Sequence, residues 1–127
     1  MNDKRKIIIL DNTFYAAPLK DKLECTYRCS VLLTKSLDLA MRTIEKERYD
    51  VAVMEPREIV HPELLDDLNK FLELRKHQNL PLVLLSSVPQ NKLQEDYGLK
   101  SADFRTYFSK IGDLRDFYVE MGRILRQ

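Results

Sequence analysis

Apolar and polar positions along this chain fall into two alternating kinds of segment. Short, nearly unbroken apolar runs occupy Lys6–Leu10, Tyr27–Leu33, Val51–Met54, Leu80–Leu85 and Thr106–Ser109. Each is too brief for a helix and is bounded by polar or turn-forming residues, which predicts strands. Val51–Met54 and Leu80–Leu85 do not alternate with polar residues, the pattern of strands covered on both faces. The intervening segments carry helical spacing. Thr13–Leu23 places apolar residues at Phe14, Ala17, Leu19 and Leu23. Pro18 must lie near the front of that helix, because deeper in it would remove a needed N–H. Ser36 or Asp38 caps a helix carrying Leu37, Ala40, Met41 and Ile44, which Arg48-Tyr49-Asp50 breaks. Pro62 opens a long pattern of Leu64, Leu65, Leu68, Phe71, Leu72 and Leu74 that ends in the polar stretch Arg75–Asn79. Pro89–Tyr97 has room for only a short helix before Gly98 stops it. Leu114, Phe117, Tyr118, Met121, Ile124 and Leu125 mark the last helix, with Asp113 as its expected N-cap.

Strands alternating with helices in this way predict an α/β domain with a parallel sheet. In such a sheet the residues just past each strand share one crevice at the carboxyl edge. Here those residues are polar. Asp11 and Asn12 follow the first strand, Glu55 the third, Ser86 the fourth and Lys110 the fifth. An acid, an amide, a second acid, a hydroxyl and a lysine make a small anionic site holding a cation. No linker, repeat or low-complexity tract interrupts the 127 residues, so residues 1–127 are expected to form one domain.

Composition removes several function classes. Lys and Arg number 21 against 20 Asp and Glu, a net charge of +1, which gives no electrostatic argument for nucleic acid or an anionic membrane. Cys25 and Cys29 lack neighbouring histidines, so reduced thiols are expected rather than a zinc site or a disulfide framework. His61 and His77 read as an exposed loop residue and a helix-end residue. No apolar stretch is long enough to span a membrane. The basic start MNDKRK leads into only four apolar residues, short of a signal-peptide core. These features together predict a cytoplasmic protein.

Taken in order, the strand-exit residues resemble those of the receiver domain of two-component response regulators, the CheY-like family, over essentially the whole chain. That resemblance implies a flavodoxin-like, doubly wound (βα)5 domain with strand order 2-1-3-4-5 and helices on both faces. It matches Asp11-Asn12 to the family's acidic pair, Glu55 to the phosphate-accepting aspartate, Ser86 to the hydroxyl ending the fourth strand and Lys110 to the lysine ending the fifth. Tyr107 matches the aromatic residue that changes rotamer on phosphorylation. The family's Mg²⁺ is held by the acidic pair, the acceptor carboxylate and a backbone carbonyl two residues later, which here belongs to Arg57.

The chain departs from that pattern where the chemistry is done. Asn12 removes one negative charge from a site meant for a hard dication. Glu55 is one methylene too long, displacing its carboxylate by more than ~1 Å, and an error of that order costs about a hundredfold in rate. The Arg57 guanidinium is placed to neutralise the acids in competition with a metal. Ile111 stands where the family has proline, so a trans bond is expected after Lys110. Residues Glu58 to His61 lack the family's Met-Asp-Gly stretch.

The resulting expectation is a non-enzymatic, phosphorylation-independent protein-interaction module of signal transduction. It has no dedicated cofactor, and Mg²⁺ binds at most weakly at Asp11 and Glu55. In a sharper form, Glu55 imitates phosphoaspartate, pairing with Lys110, drawing Ser86 toward it and turning Tyr107 inward. One alternative is a phosphoaccepting regulator in a phosphorelay, but Asp50 lies at the wrong sheet edge to replace Glu55. Another is a flavin-type ligand domain, but Thr13-Phe14-Tyr15-Ala16 offers one hydroxyl and no glycine for a phosphate. Expected partners are other signalling proteins or an attached effector domain. A homodimer is expected through the fourth helix, fifth strand and last helix. Lys100, Arg105, Arg115, Arg123 and Arg126 make that region basic, and Phe104, Tyr118 and Met121 are expected to add apolar area to it.

Overall fold

The apolar runs become strands β1 (Arg5–Leu10), β2 (Cys29–Thr34), β3 (Val51–Met54), β4 (Leu82–Ser86) and β5 (Thr106–Ser109) in the computed structural model, which describes residues 4–126. They pair in parallel in the order β2-β1-β3-β4-β5. This is the flavodoxin-like doubly wound order. β3 and β4 are buried at every position, as their unbroken apolar character requires.

Among the described residues, six α-helices lie between and after the strands: α1 (Ala16–Thr26), α2 (Leu37–Lys46), α3 (Pro56–Ile59), α4 (Leu65–His77), α5 (Leu93–Tyr97) and α6 (Arg115–Leu125). Alternation along each strand divides the core into two layers. Ile7, Ile9, Val53, Val83 and Leu85 pack with Leu19 and Leu23 of α1 and with Phe117, Met121 and Ile124 of α6. On the other face, Ile8, Leu10, Ala52, Met54 and Leu84 pack with Ile44 of α2, Phe71 of α4 and Leu93 of α5. Among the described residues no helix is long and apolar enough to cross a membrane.

Several boundaries differ from expectation for identifiable reasons. β2 starts at Cys29 because Tyr27 caps α1, its N–H donating to the Leu23 carbonyl. β4 starts at Leu82 because the Leu80 N–H closes α4 on the Arg75 carbonyl and Pro81 has no N–H to give the ladder. Pro62 opens a 3-10 turn, Pro62–Leu64, and α4 begins only at Leu65. Asp113 precedes α6 by two positions, yet its Oδ1 accepts the Arg115 N–H at 2.8 Å. Of the two candidate caps for α2 it is Ser36 whose side chain accepts the Leu39 N–H. Gly98 ends α5 at φ 69°, the left-handed conformation glycine adopts without penalty.

Two expected apolar placements are corrected. Phe14 stands 99% exposed in the loop before α1 rather than on its buried face. Met121 is fully buried and adds nothing to an outward surface. Phe104 and Tyr118 are half-buried and pack against the two core layers.

Candidate functional site at the carboxyl edge

The sheet's own ladder gathers the site. Leu10 and Met54 are register partners, so the next residues, Asp11 and Glu55, leave β1 and β3 side by side. The Glu55 N–H donates to the Leu10 carbonyl at 2.9 Å. Ser86 and Ser109 are likewise partners, and the Lys110 N–H donates to the Ser86 carbonyl at 3.0 Å. Glu55 is also the N-cap of α3, with Pro56 at the first helical position, where a missing N–H costs nothing.

The Lys110 ammonium lies between both carboxylates, 2.8 Å from Asp11 Oδ2 and 3.1 Å from Glu55 Oε1. The three side chains are 10%, 3% and 1% exposed for Lys110, Asp11 and Glu55. Groups this dry must be paired, and every carboxylate oxygen is. Glu55 Oε1 also accepts from the Ser87 N–H at 2.8 Å and the Ser87 hydroxyl at 3.2 Å. Glu55 Oε2 accepts from the Ser86 hydroxyl and, at 3.3 Å, from the Arg57 N–H. Asp11 Oδ1 takes the Thr13 N–H at 2.9 Å and its hydroxyl at 2.8 Å.

Two tyrosines border this network. The Tyr15 ring lies 4.8 Å from the Lys110 ammonium, a cation–π contact. Burial first and the Asp11 charge second push its phenol up. The Tyr107 hydroxyl donates to the Val88 carbonyl at 2.6 Å, while the Val88 N–H donates to Ser86 Oγ at 2.9 Å. Tyr107 is thereby tied to Glu55 through Val88 and Ser86. Burial, then the Glu55 charge, raises its phenol as well.

Of the residues expected to converge, Asp11, Glu55, Ser86 and Lys110 meet, with Tyr107 one step behind them. Asn12 is exposed and stands outside the network. Arg57 is corrected: its guanidinium forms no hydrogen bond or ion pair among the described residues, and it lines a separate depression with Val60, His61, Pro62, Leu65, Asp96 and Tyr97. Lys110 neutralises the acids in its place, because it leaves the end of β5 with its ammonium between them. Thr13 and Ser87 were not anticipated as site residues. Their signals were present, an Asp-x-Thr turn for Thr13 and the paired serines at the β4 exit for Ser87.

This donor set is poor for a divalent cation, which would have to displace Lys110 from Asp11 and Glu55. Mg²⁺ takes oxygen ligands in octahedral array, usually one or two carboxylates completed by waters. All four carboxylate oxygens already accept hydrogen bonds, and an ammonium occupies the space between the acids. Among the described residues no three acidic, histidine or cysteine side chains form a cluster suited to a metal.

No family model matches the sequence, and no curated protein matches it. Solved structures do. A two-component response regulator from Clostridium difficile superposes with a TM-score of 0.72 at 17% identity, over 98% of each chain. This chain has the receiver fold. The receiver domain of the sensor histidine kinase PA1611 from Pseudomonas aeruginosa PAO1, with a magnesium ion coordinated in its active-site cleft, gives a TM-score of 0.70 at 17% identity, over 98% of this chain and 100% of that one. HP1043, an orphan response regulator of H. pylori, gives 0.69 at 14% identity, over 96% and 97%. At such identities the likeness is one of receiver architecture, and the chemistry rests on this chain's own side chains.

Proposed function

We propose that this chain is a signal-transduction module that works without accepting phosphate, its pocket held by Glu55 in place of a phosphoryl group. The observation that carries this reading is the saturation of the Glu55 carboxylate by Lys110, Ser86, Ser87 and the Arg57 N–H. A phosphoryl group brings nearly two negative charges and three acceptor oxygens. Glu55 brings one charge and two oxygens, and the second charge comes from Asp11 on the same lysine. Tyr107 is held against the β4 exit loop by its bond to Val88, as an engaged aromatic switch would be. Partners are then other signalling proteins or an effector domain, recognised by the surface that this fixed arrangement presents.

A phosphoaccepting role finds little support. Asp11 is the one aspartate in the pocket, and both of its oxygens are engaged. Incubation with Mg²⁺ and a small phosphodonor is expected to leave the intact mass unchanged, whereas a stoichiometric gain of one phosphoryl group overturns the proposal. For the engaged state, Glu55→Ala is expected to free Tyr107 and weaken partner binding. Unchanged binding by Glu55→Ala and Glu55→Asp would leave only a fold that lacks a switch.

A further inference from the structure

At the amino edge of the sheet, away from Glu55, a depression of about 340 Å³ is lined by Arg75, Lys76, Asn79, Leu80, Pro81 and Arg105. Half of that lining is cationic. Arg75 is the most informative member. Its Nε is buried without an acceptor, and its guanidinium makes no hydrogen bond or ion pair with any described residue. Native proteins rarely leave a buried charged donor in that condition. Burial weakens its hold on its proton, and only the Asp103 charge works against that effect.

The neighbouring cations are partly compensated. Lys76 reaches Asp103 at 3.2 Å, and Glu120 is shared by Arg105 at 3.0 Å and Arg123 at 2.6 Å. The three cations that line the depression, set against Asp103 and Glu120, leave a local excess of one positive charge, on Arg75. At the C-terminus of α4, three carbonyls are already engaged by the backbone and do not serve Arg75. The carbonyls of Leu74, Arg75 and Lys76 accept the N–H groups of Gln78, Leu80 and Asn79 at 3.1, 2.9 and 3.1 Å.

We propose that this depression binds a phosphate group, free or carried by a small monoester, with Arg75 as its main ligand. An anion compensates the excess charge on Arg75, whose guanidinium has no carboxylate partner of its own among the described residues. The planar guanidinium fork of arginine pairs with two phosphate oxygens at once, which gives geometry as well as attraction. Neither Glu55 nor any other residue of the carboxyl-edge pocket takes part.

The test is titration of the isotope-labelled full chain with inorganic phosphate and, separately, with phenyl phosphate. Ionic strength is held constant with chloride, and backbone amides are followed by NMR. Saturable shifts are expected at Arg75, Lys76, Asn79 and Arg105, with none at Glu55 or Ser87. Tighter binding of phenyl phosphate identifies an ester as the ligand, and equal binding identifies free phosphate. Arg75→Met is expected to weaken both probes at least tenfold while leaving the melting temperature equal to or above that of the parent, since an unpaired buried donor has been removed. Arg75→Lys, which keeps the charge without the fork, supplies the same comparison should the methionine variant misfold. Shifts that never saturate, or binding that survives both substitutions, would overturn the assignment. So would a lower melting temperature with unaltered binding, which makes Arg75 merely structural.

Discussion

Lys110 holds two buried carboxylates that would otherwise face each other without a counter-charge. Breaking a buried ion pair from one side is far more damaging than neutralising both partners, because the stranded charge keeps its full desolvation cost. Lys110→Met is therefore expected to lower unfolding stability by about 3–5 kcal/mol in urea titration. Glu55→Gln keeps nearly the same shape and leaves Lys110 paired with Asp11, so its loss should be smaller. An inverted order of these two variants would mean that Lys110 is not the keystone of the pocket. The same residues show what strand-exit reading can deliver. Asp11, Glu55, Ser86 and Lys110 were legible because parallel register places strand ends together whatever the loops do. Arg57 was not, since a long side chain on an exposed helix start has many rotamers and only tertiary packing chooses among them.

Between elements, the contact of α1 with α6 turns on one glycine. A Cβ built at Gly122 would lie 2.9 Å from the Tyr27 hydroxyl oxygen and 3.1 Å from its Cε1. The ring has little room to yield, because that hydroxyl donates to the Tyr118 carbonyl at 2.6 Å. In an isolated helix Gly→Ala would gain about 1 kcal/mol, but overpacking costs about 1–3 kcal/mol, so the sign reverses here. Gly122→Ala should lower the melting temperature, and in a Tyr27→Ala background it should raise it; a stabilised single variant would show that the two helices separate freely. The sequence signalled α6 by its spacing, but no pattern on one helix reveals which neighbour crosses it. α3 escaped for the opposite reason. Four residues are too few for periodicity, although Glu55-Pro56 is a cap followed by an N1 proline. The outward face of α5, β5 and α6 also reads differently once packed. Met121 is inside, and Arg105 and Arg123 share Glu120 within the chain, so less apolar area and less net charge remain for a second copy than spacing suggested.

At the scale of the whole molecule, alternation of unbroken apolar runs with amphipathic segments was enough to read an α/β domain with a parallel sheet, because strands such as β3 and β4 need cover on both faces, while the doubly wound strand order came from the resemblance to the receiver family. Global packing also fixes how the fold responds to alkali. Tyr15, Tyr49, Tyr97, Tyr107 and Tyr118 all have phenols raised by burial first, with a neighbouring carboxylate as a further cause for all but Tyr118, whose further causes are Tyr15 and Tyr27. They are spread over both core layers, so no single element carries the effect. A folded-state pKa above the unfolded value of about 10 means that the unfolded chain releases its phenolic protons first. Stability from this source is complete below that value and is lost as pH rises through the folded-state values. Cys29, buried and raised in the same direction, adds to the loss. Unfolding by alkali should therefore coincide with the appearance of tyrosinate absorbance, with circular dichroism and absorbance tracing one transition above pH ~10. Tyrosinate forming gradually near that value while the circular dichroism stays native would show that these phenols are open to solvent in the folded protein.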